Sequence, residues 1–272
     1  MDTGINFDCV KITDVKSGVN RLIRNGFTYS FLNAEDPLLL RFCSEIKGTP
    51  LKAATLHAPF DSNGYSYIND MWKDGDKGDD MLKRLIISAE SCAKYDIPVL
   101  VTHLSSGENA PVVNDTGFER FYRLMSRANE LGVTVAFENQ RKISNLACAL
   151  EYFPKAKFCL DLGHEYCFTD GKDFLSLFGD KLVTVHVHDN LKTRNGDLHW
   201  IPYDGAIDYN RFLTSLAAVG YDGVMMLEVF KTQDDKSRVN PLYSTLTDDG
   251  YIARARLAAN RLRNAYSGMV KK

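Results

Sequence analysis

The six histidines of this 272-residue chain share one kind of place: each ends a short apolar run or lies just beyond one. His57 closes LKAATLH, His103 closes VLVTH and His164 follows FCLDLG; His186 and His188 lie in TVHVHDN, with His199 in the loop after it. Four carboxylates are placed the same way: Glu138 in VAFENQ, Asp161 in LDLGH, Asp197 in DLHW and Glu228 in MMLEV. Any one of these residues, alone, reads as a cap or a satisfied polar side chain. The set reads differently, because imidazoles and carboxylates crowded onto one rim are costly to bury unless they share a cation. Such mixed N and O donors suit Zn, Mn, Fe or Co, and Mg where carboxylates dominate. The chemistry expected of them is therefore the binding of a divalent metal. Two spacings add detail. Asp161-x-x-His164 lets both side chains reach the rim as a strand ends and turns. His186-Val-His188, at the period of a strand, puts both imidazoles on one face and Val187 on the other. His188 also has a plainer reading, orienting its neighbours by hydrogen bonds without touching metal.

The elements that must position these groups follow from apolar periodicity. Lys52–Leu56, Pro98–Thr102, Val133–Phe137, Phe158–Leu162, Leu182–Val187 and Val224–Val229 are short apolar runs that predict strands. Asp80–Tyr95, Thr116–Leu131 and Tyr209–Val219 carry apolar residues at three and four spacing and predict helices. Gly132, Gly220 and Gly223 fall where helix ends and turns are expected. Upstream, Gly4–Val10 and Gly26–Asn33 predict the first two strands, with Asp14–Asn25 as the helix between them. Continuous apolar runs, rather than alternation, suit strands buried on both faces of a parallel sheet. Repeated strand–helix units over the whole chain predict an α/β fold, a (β/α)8 TIM barrel forming a single domain over residues 1–272. In such a barrel the C-terminal strand ends share one face, where active sites form. Asp61–Gly78 and Asn190–Asp208 are long loops, expected to act as lids or substrate contacts.

Composition limits the partners. Hydrophobic residues make up 44% and charged residues 25%, enough apolar material for a full core. A net charge of −2 gives no electrostatic footprint for nucleic acid or for an anionic membrane surface. The six cysteines are scattered, with no C-x-x-C pair, and no secretory segment precedes them, so they are expected to be reduced thiols in a cytoplasmic protein. No apolar run approaches the ~18 residues of a membrane span. Nothing in the sequence fixes the oligomeric state, and a homo-oligomer stays open.

Taken in order, LHAPF, VTHLSSG, VAFENQ, CLDLGH, VHVHDN, DLHWIPYDGAIDY and LEVF resemble the xylose isomerase-like barrel superfamily of sugar isomerases and epimerases, inosose dehydratase and endonuclease IV. The resemblance covers residues 50–230. It implies one divalent ion (Mn, Zn, Mg or Co) held by Glu138, Asp161, His186 and Glu228. His186 rather than His188 is the implied ligand, because it precedes an acidic residue, Asp189, by three. The resemblance also implies that His164, His188 and His199 surround the substrate. Endonuclease IV holds a trinuclear zinc cluster at further positions, which this chain matches with His57, His103, His164, Asp197 and His199. The expected reaction is metal-dependent isomerisation or epimerisation of a sugar or sugar phosphate. Glu138 and Glu228 would move a proton beside a carbonyl through a metal-stabilised enediolate. His57, His103, His164, His188, Asp197, His199 and Lys192 would hold substrate, and Phe60, Trp200 and Tyr203 would cover its apolar face. The alternatives are inosose dehydratase-like lyase chemistry, an endonuclease IV-like phosphodiesterase, and a carbohydrate-binding barrel without catalysis. Near-neutral charge favours the small polyol over DNA. The PYDGAIDY stretch resembles the P-G-x-G-x-I-D-W of sugar epimerases, departing at Tyr203, where the pattern has Gly, and at Tyr209.

Overall fold

A computed structural model describes residues 1–61 and 65–270. The strands run in chain order: β1 (Thr3–Asn6), β2 (Tyr29–Asn33), β3 (Lys52–His57), β4 (Val99–Thr102), β5 (Thr134–Glu138), β6 (Lys157–Asp161), β7 (Leu182–Val187) and β8 (Met225–Leu227). Neighbours in sequence are neighbours in the sheet, and the order closes on itself as an eight-stranded barrel. The helices are α1 (Val15–Arg24), α2 (Leu39–Glu45), α3 (Asp76–Lys94), α4 (Asp115–Glu130), α5 (Ile143–Tyr152), α6 (Leu162–Thr169), α7 (Phe174–Phe178), α8 (Tyr209–Ala218) and α9 (Asp248–Val270). The chain divides into two compact units, one of residues 1–32, 38–53 and 160–272, the other of 33–37 and 54–159.

In the first unit β1 pairs in parallel with β2 and β8, and β7 pairs with β8, with Gly4 opposite Met226 and His186 opposite Met226 on its other side. Gly4 leaves room for the Met226 thioether, which lies where a Cβ would stand. In the second unit β3, β4 and β5 pair in succession, His57 opposite Val101 and Thr102 opposite Phe137, and Glu138 stands opposite Cys159 of β6. Every residue of β1, β4 and β8 is buried, as strands covered on both faces require. Helix starts follow side-chain chemistry: Asp14, Asn114, Asp161, Asp173 and Asp208 each accept from a backbone N–H of the first turn.

Several boundaries differ from those expected. β1 stops at Asn6, not Val10, because Phe7–Cys9 turns as a 3-10 helix and the Asn6 side chain accepts from Val229 N at 2.9 Å. β2 begins at Tyr29, not Gly26. Gly26 has φ +80°, and the Gly26 and Phe27 N–H groups donate back to Ile23 O and Leu22 O to close α1. α3 starts at Asp76, four residues before the expected Asp80, with Asp76 and Asp79 favourably placed in its first turn. β8 ends at Leu227, so Glu228 lies just past the strand rather than within it. α9, which the sequence reading did not single out, buries Tyr251, Ile252, Ala255, Ala259 and Leu262. No helix among the described residues is long and apolar enough to cross a membrane.

The loop expected over Asp61–Gly78 is, in its described part, bound to the barrel by hydrogen bonds; Ser62, Asn63 and Gly64 lie outside the described residues. Tyr67–Trp72 forms a 3-10 helix. Asn69 donates to Ser106 O at 2.8 Å and accepts from Ser106 N at 2.9 Å, and the Trp72 indole donates to Leu104 O. The buried Arg120 guanidinium donates to the carbonyls of Asp70, Met71, Lys73 and Gly75 and to the Asp79 carboxylate at 3.0 Å. Removing that cation strands several carbonyls. Arg120→Met is expected to cost about 3–5 kcal/mol and to lower the melting temperature by roughly 10 °C. A melting curve matching that of the exposed control Arg123→Met would contradict the pinning role.

Candidate active site

Most of the expected residues sit at or just past strand ends, with Asp197 and His199 in the loop between β7 and α8, and the structure groups them. In the second unit, His57 ends β3, His103 follows β4 and Glu138 ends β5. One donor atom of each lies within 4.8 Å of the others. Glu138 is only 2% exposed, with its Oε2 3.1 Å from His57 Nε2 and 3.6 Å from His103 Nε2. The His57 tautomer is fixed locally. Its Nδ1 lies 2.8 Å from Ala58 O, and a carbonyl only accepts, so Nδ1 carries the hydrogen. Its Nε2 then faces the Glu138 carboxylate at hydrogen-bond distance. Gln140 lies 3.2 Å from His103 Nε2, and the Phe60 ring covers both His103 and His57. Burial lifts the Asp61 carboxyl above its usual range, with His103 and His57 drawing it back.

In the first unit, Asp161 ends β6, His186 lies in β7 and Glu228 follows β8; their donor atoms again lie within 4.8 Å of one another. His186 is fully buried, its ring stacked on Phe31 at 4.8 Å, with Nδ1 3.2 Å from Glu228 Oε2. Asp161 has two roles. Its Oδ1 caps α6 by accepting from His164 N at 2.7 Å, and the same oxygen lies 3.1 Å from His188 Nε2. One carboxylate oxygen thus serves both the helix cap and His188.

Beside this group lies another, His164, His188, Asp197 and His199, with donor atoms also within 4.8 Å. His188 and His199 stack at 4.0 Å, and Asp197 reaches His199 Nε2 at 3.2 Å and His164 Nε2 at 3.5 Å. His199 repeats the His57 arrangement: Nδ1 donates to Glu228 O at 3.1 Å, which turns Nε2 toward a carboxylate. Burial alone would raise the Asp197 carboxyl, but His199 and His164 outweigh it and hold it well below the ordinary range. Burial likewise pushes His199 down, and Asp197 more than reverses this, lifting it to about 9. Gly163 makes the space: a Cβ there would fall inside the His188 ring.

These groups fit a divalent cation. Imidazole nitrogens and carboxylate oxygens converge, and two histidines have Nδ1–H fixed on a backbone carbonyl, the outer-shell support typical of metal-ligating imidazole. His188 Nδ1 and Asp197 Oδ1 are buried without a hydrogen-bond partner among the described residues, as donors awaiting a cation would be.

The family described as "Xylose isomerase-like TIM barrel" matches residues 24–248. The chain belongs to this family. Its fold is similar to that of D-psicose 3-epimerase with D-tagatose from Clostridium cellulolyticum H10, at TM-score 0.77 and 13% identity over 98% of this chain and 99% of that one. L-ribulose 3-epimerase gives 0.72 at 16% identity over 100% and 99%. The IolI protein with a bound zinc atom gives 0.74 at 18% over 99% of both chains. A curated relative, the uncharacterized protein y4fM of Sinorhizobium fredii (strain NBRC 101917 / NGR234), is 31% identical over 105 residues, 38% of this chain and 30% of that protein's length.

The accessory residues divide. Phe60 lies against two site histidines. Lys192 instead sits over the Tyr166 ring, Trp200 donates to Arg238 O, and the Tyr203 ring packs between Tyr209 and Arg261. Tyr203 has φ +75°, which explains the Gly of the epimerase pattern at this place. Sequence reasoning missed Phe31 beneath His186, Gln140 beside His103, and Arg238, which donates to the Asp197 backbone carbonyl and lies 3.4 Å from its carboxylate. No spacing or composition signal distinguishes them. A methyl at position 163 must displace the His188 ring. Gly163→Ala is therefore expected to weaken zinc binding by ~10-fold or more in calorimetric titration of the folded protein; unchanged affinity and stoichiometry would show that His188 is idle.

Proposed function

We propose that this chain is a metal-dependent isomerase or epimerase of a sugar or sugar phosphate. The observation that carries the reading is the grouping of Asp161, His186 and Glu228 donors within 4.8 Å at the ends of successive strands. Glu138, ending the preceding strand in barrel order, is the fourth member of the proposed set for one Mn, Zn, Mg or Co ion. Bound there, a divalent ion would draw electron density from the carbonyl and hydroxyl oxygens of a ketose and acidify the adjacent C–H. The side chains do the rest. One of Glu138 and Glu228 removes that proton as a carboxylate, and the other, from a different strand, returns one to the opposite face. His57, His103, His164, His188, Asp197 and His199 hold the substrate hydroxyls, with Phe60 against the apolar face. The names of the structural relatives, which include D-psicose and L-ribulose epimerases, support a sugar substrate.

A second reading rests on a specific observation. The chain also gathers the histidine–carboxylate groupings His57/His103/Glu138 and His164/His188/Asp197/His199. Three such groupings are more donors than one ion needs, and they favour a multinuclear phosphodiesterase, an endonuclease IV-like enzyme, as the alternative.

Glu138→Gln and Glu228→Gln, each saturated with metal, are expected to lose turnover of a responsive ketose by ~10²–10⁴-fold. The amide keeps the shape but cannot take a proton. Each variant should still exchange with D2O only the proton its remaining glutamate reaches. Near wild-type epimerisation by either variant would show the acid and base to be wrongly assigned. Efficient incision of an abasic-site duplex by the wild-type protein would replace the sugar reading with the second one.

A further inference from the structure

The loop Asn190–Asp208 carries Asp197 and His199 between β7 and α8, and its backbone is unusual. Lys192, Asn195, His199 and Tyr203 have φ of 56°, 62°, 48° and 75°, left-handed values that Asn and His tolerate but that Lys and Tyr rarely adopt. Strained backbone of this kind persists only where its surroundings over-determine it. Here the surroundings converge on one residue. Asp189, fully buried at the loop's base, accepts from Asn190 N at 2.8 Å and Ile207 N at 3.1 Å on Oδ1, and from Tyr203 N at 2.9 Å on Oδ2. The Tyr209 hydroxyl donates to His188 O at 3.3 Å, next to this carboxylate in the chain. The Asp189 backbone exchanges a pair of hydrogen bonds with Trp200, at 2.7 and 2.9 Å, one residue from His199. Gly205 can approach because a Cβ there would press on Asp189 Oδ1.

We infer that Asp189 is a positioning residue whose buried carboxylate ties both ends of the Asn190–Asp208 loop to β7 and so holds Asp197 and His199 in register with His164 and His188. It acts through the loop backbone and touches neither substrate nor cation. A carboxylate suits the task because both oxygens accept, whereas an amide of the same shape would turn its own N–H groups toward the loop's donors. Without the carboxylate, the N–H groups of Asn190, Tyr203 and Ile207 lose their acceptor. The loop then relaxes from its left-handed residues, and the Asp197–His199 pair drifts from its partners. The role is the same whether the site serves an isomerase or a phosphodiesterase.

Asp189→Asn in the full chain tests this with two readouts besides activity. The loop holds trypsin sites at the exposed Lys192 and Arg194. Cleavage there is expected to quicken by about tenfold or more with far-UV circular dichroism unchanged. Cobalt(II), added alone, reports the histidine–carboxylate grouping through its visible absorption. Asp189→Asn is expected to alter that spectrum and weaken affinity by ~10–100-fold, the usual range for support of a metal site. If Asp189 works only by placing the loop, adding it to His199→Ala costs little beyond His199→Ala alone. Gly205→Ala, which crowds the same carboxylate, is expected to give milder changes in both readouts and serves if Asp189→Asn does not fold. Unchanged cleavage in the folded variants, or fully additive losses with His199→Ala, overturns the assignment. Should the wild-type chain bind no cobalt, the metal reading fails, and the cleavage rates alone decide the role of Asp189.

Discussion

Buried carboxylates set against buried imidazoles are the constraint on which this structure turns. Glu138 meets His57 Nε2 at 3.1 Å and Asp197 meets His199 Nε2 at 3.2 Å. In each pair the other ring nitrogen is already committed to a backbone carbonyl. Two acceptors at hydrogen-bond distance repel unless a proton or a metal lies with them. An uncompensated buried charge costs several kcal/mol, a large share of the roughly 5–15 kcal/mol that holds a domain folded. A barrel can carry that cost because its strand backbones are fully bonded whatever the rim carries, so the expense stays local to the strand ends. A divalent cation held there, as proposed, would relieve that cost and supply the chemistry of the site.

The supports around the rim follow from the same constraint. Long loops return to it, and the described parts of those loops are tied down rather than free to swing: Arg120 gathers four carbonyls around one guanidinium, and Asp189 gathers N–H groups around one carboxylate. One is a buried cation serving acceptors, the other a buried anion serving donors. Both fix backbone at the edge of the site and leave the site's own side chains to face inward.

Most of the frame was legible in the sequence because parallel strands buried on both faces are continuous apolar runs, and β3 to β8 stand on such runs. Their ends were legible for β3, β4 and β5, which reach His57, His103 and Glu138, and less so for β8, which stops before Glu228. The first two strands were less so. The chain looks extended through Val10, yet the Asn6 side chain and a 3-10 turn end β1 early, and Gly26 serves a helix end rather than a strand start. Within the site, residue type announced the histidines and acids, while tertiary placement alone defined their supports. Phe31 reads as a core aromatic, Arg238 as a surface cation and Asp189 as the acidic mark of a motif until their partners are seen. Tyr203 was noticed as a departure from a glycine pattern, and its left-handed backbone supplies the reason: the position needs that conformation, and here a tyrosine adopts it while its ring packs against Arg261 and Tyr209.

The proposed ion site has Glu138, Asp161, His186 and Glu228 holding one divalent ion. The most direct measurement is an anomalous-scattering map from crystals grown with manganese or zinc. The account predicts a single dominant peak at ~2.0–2.3 Å from a donor atom of each of the four residues. A map with no peak among them, or with peaks only between His57 and His103 or among His164, His188 and His199, would contradict it.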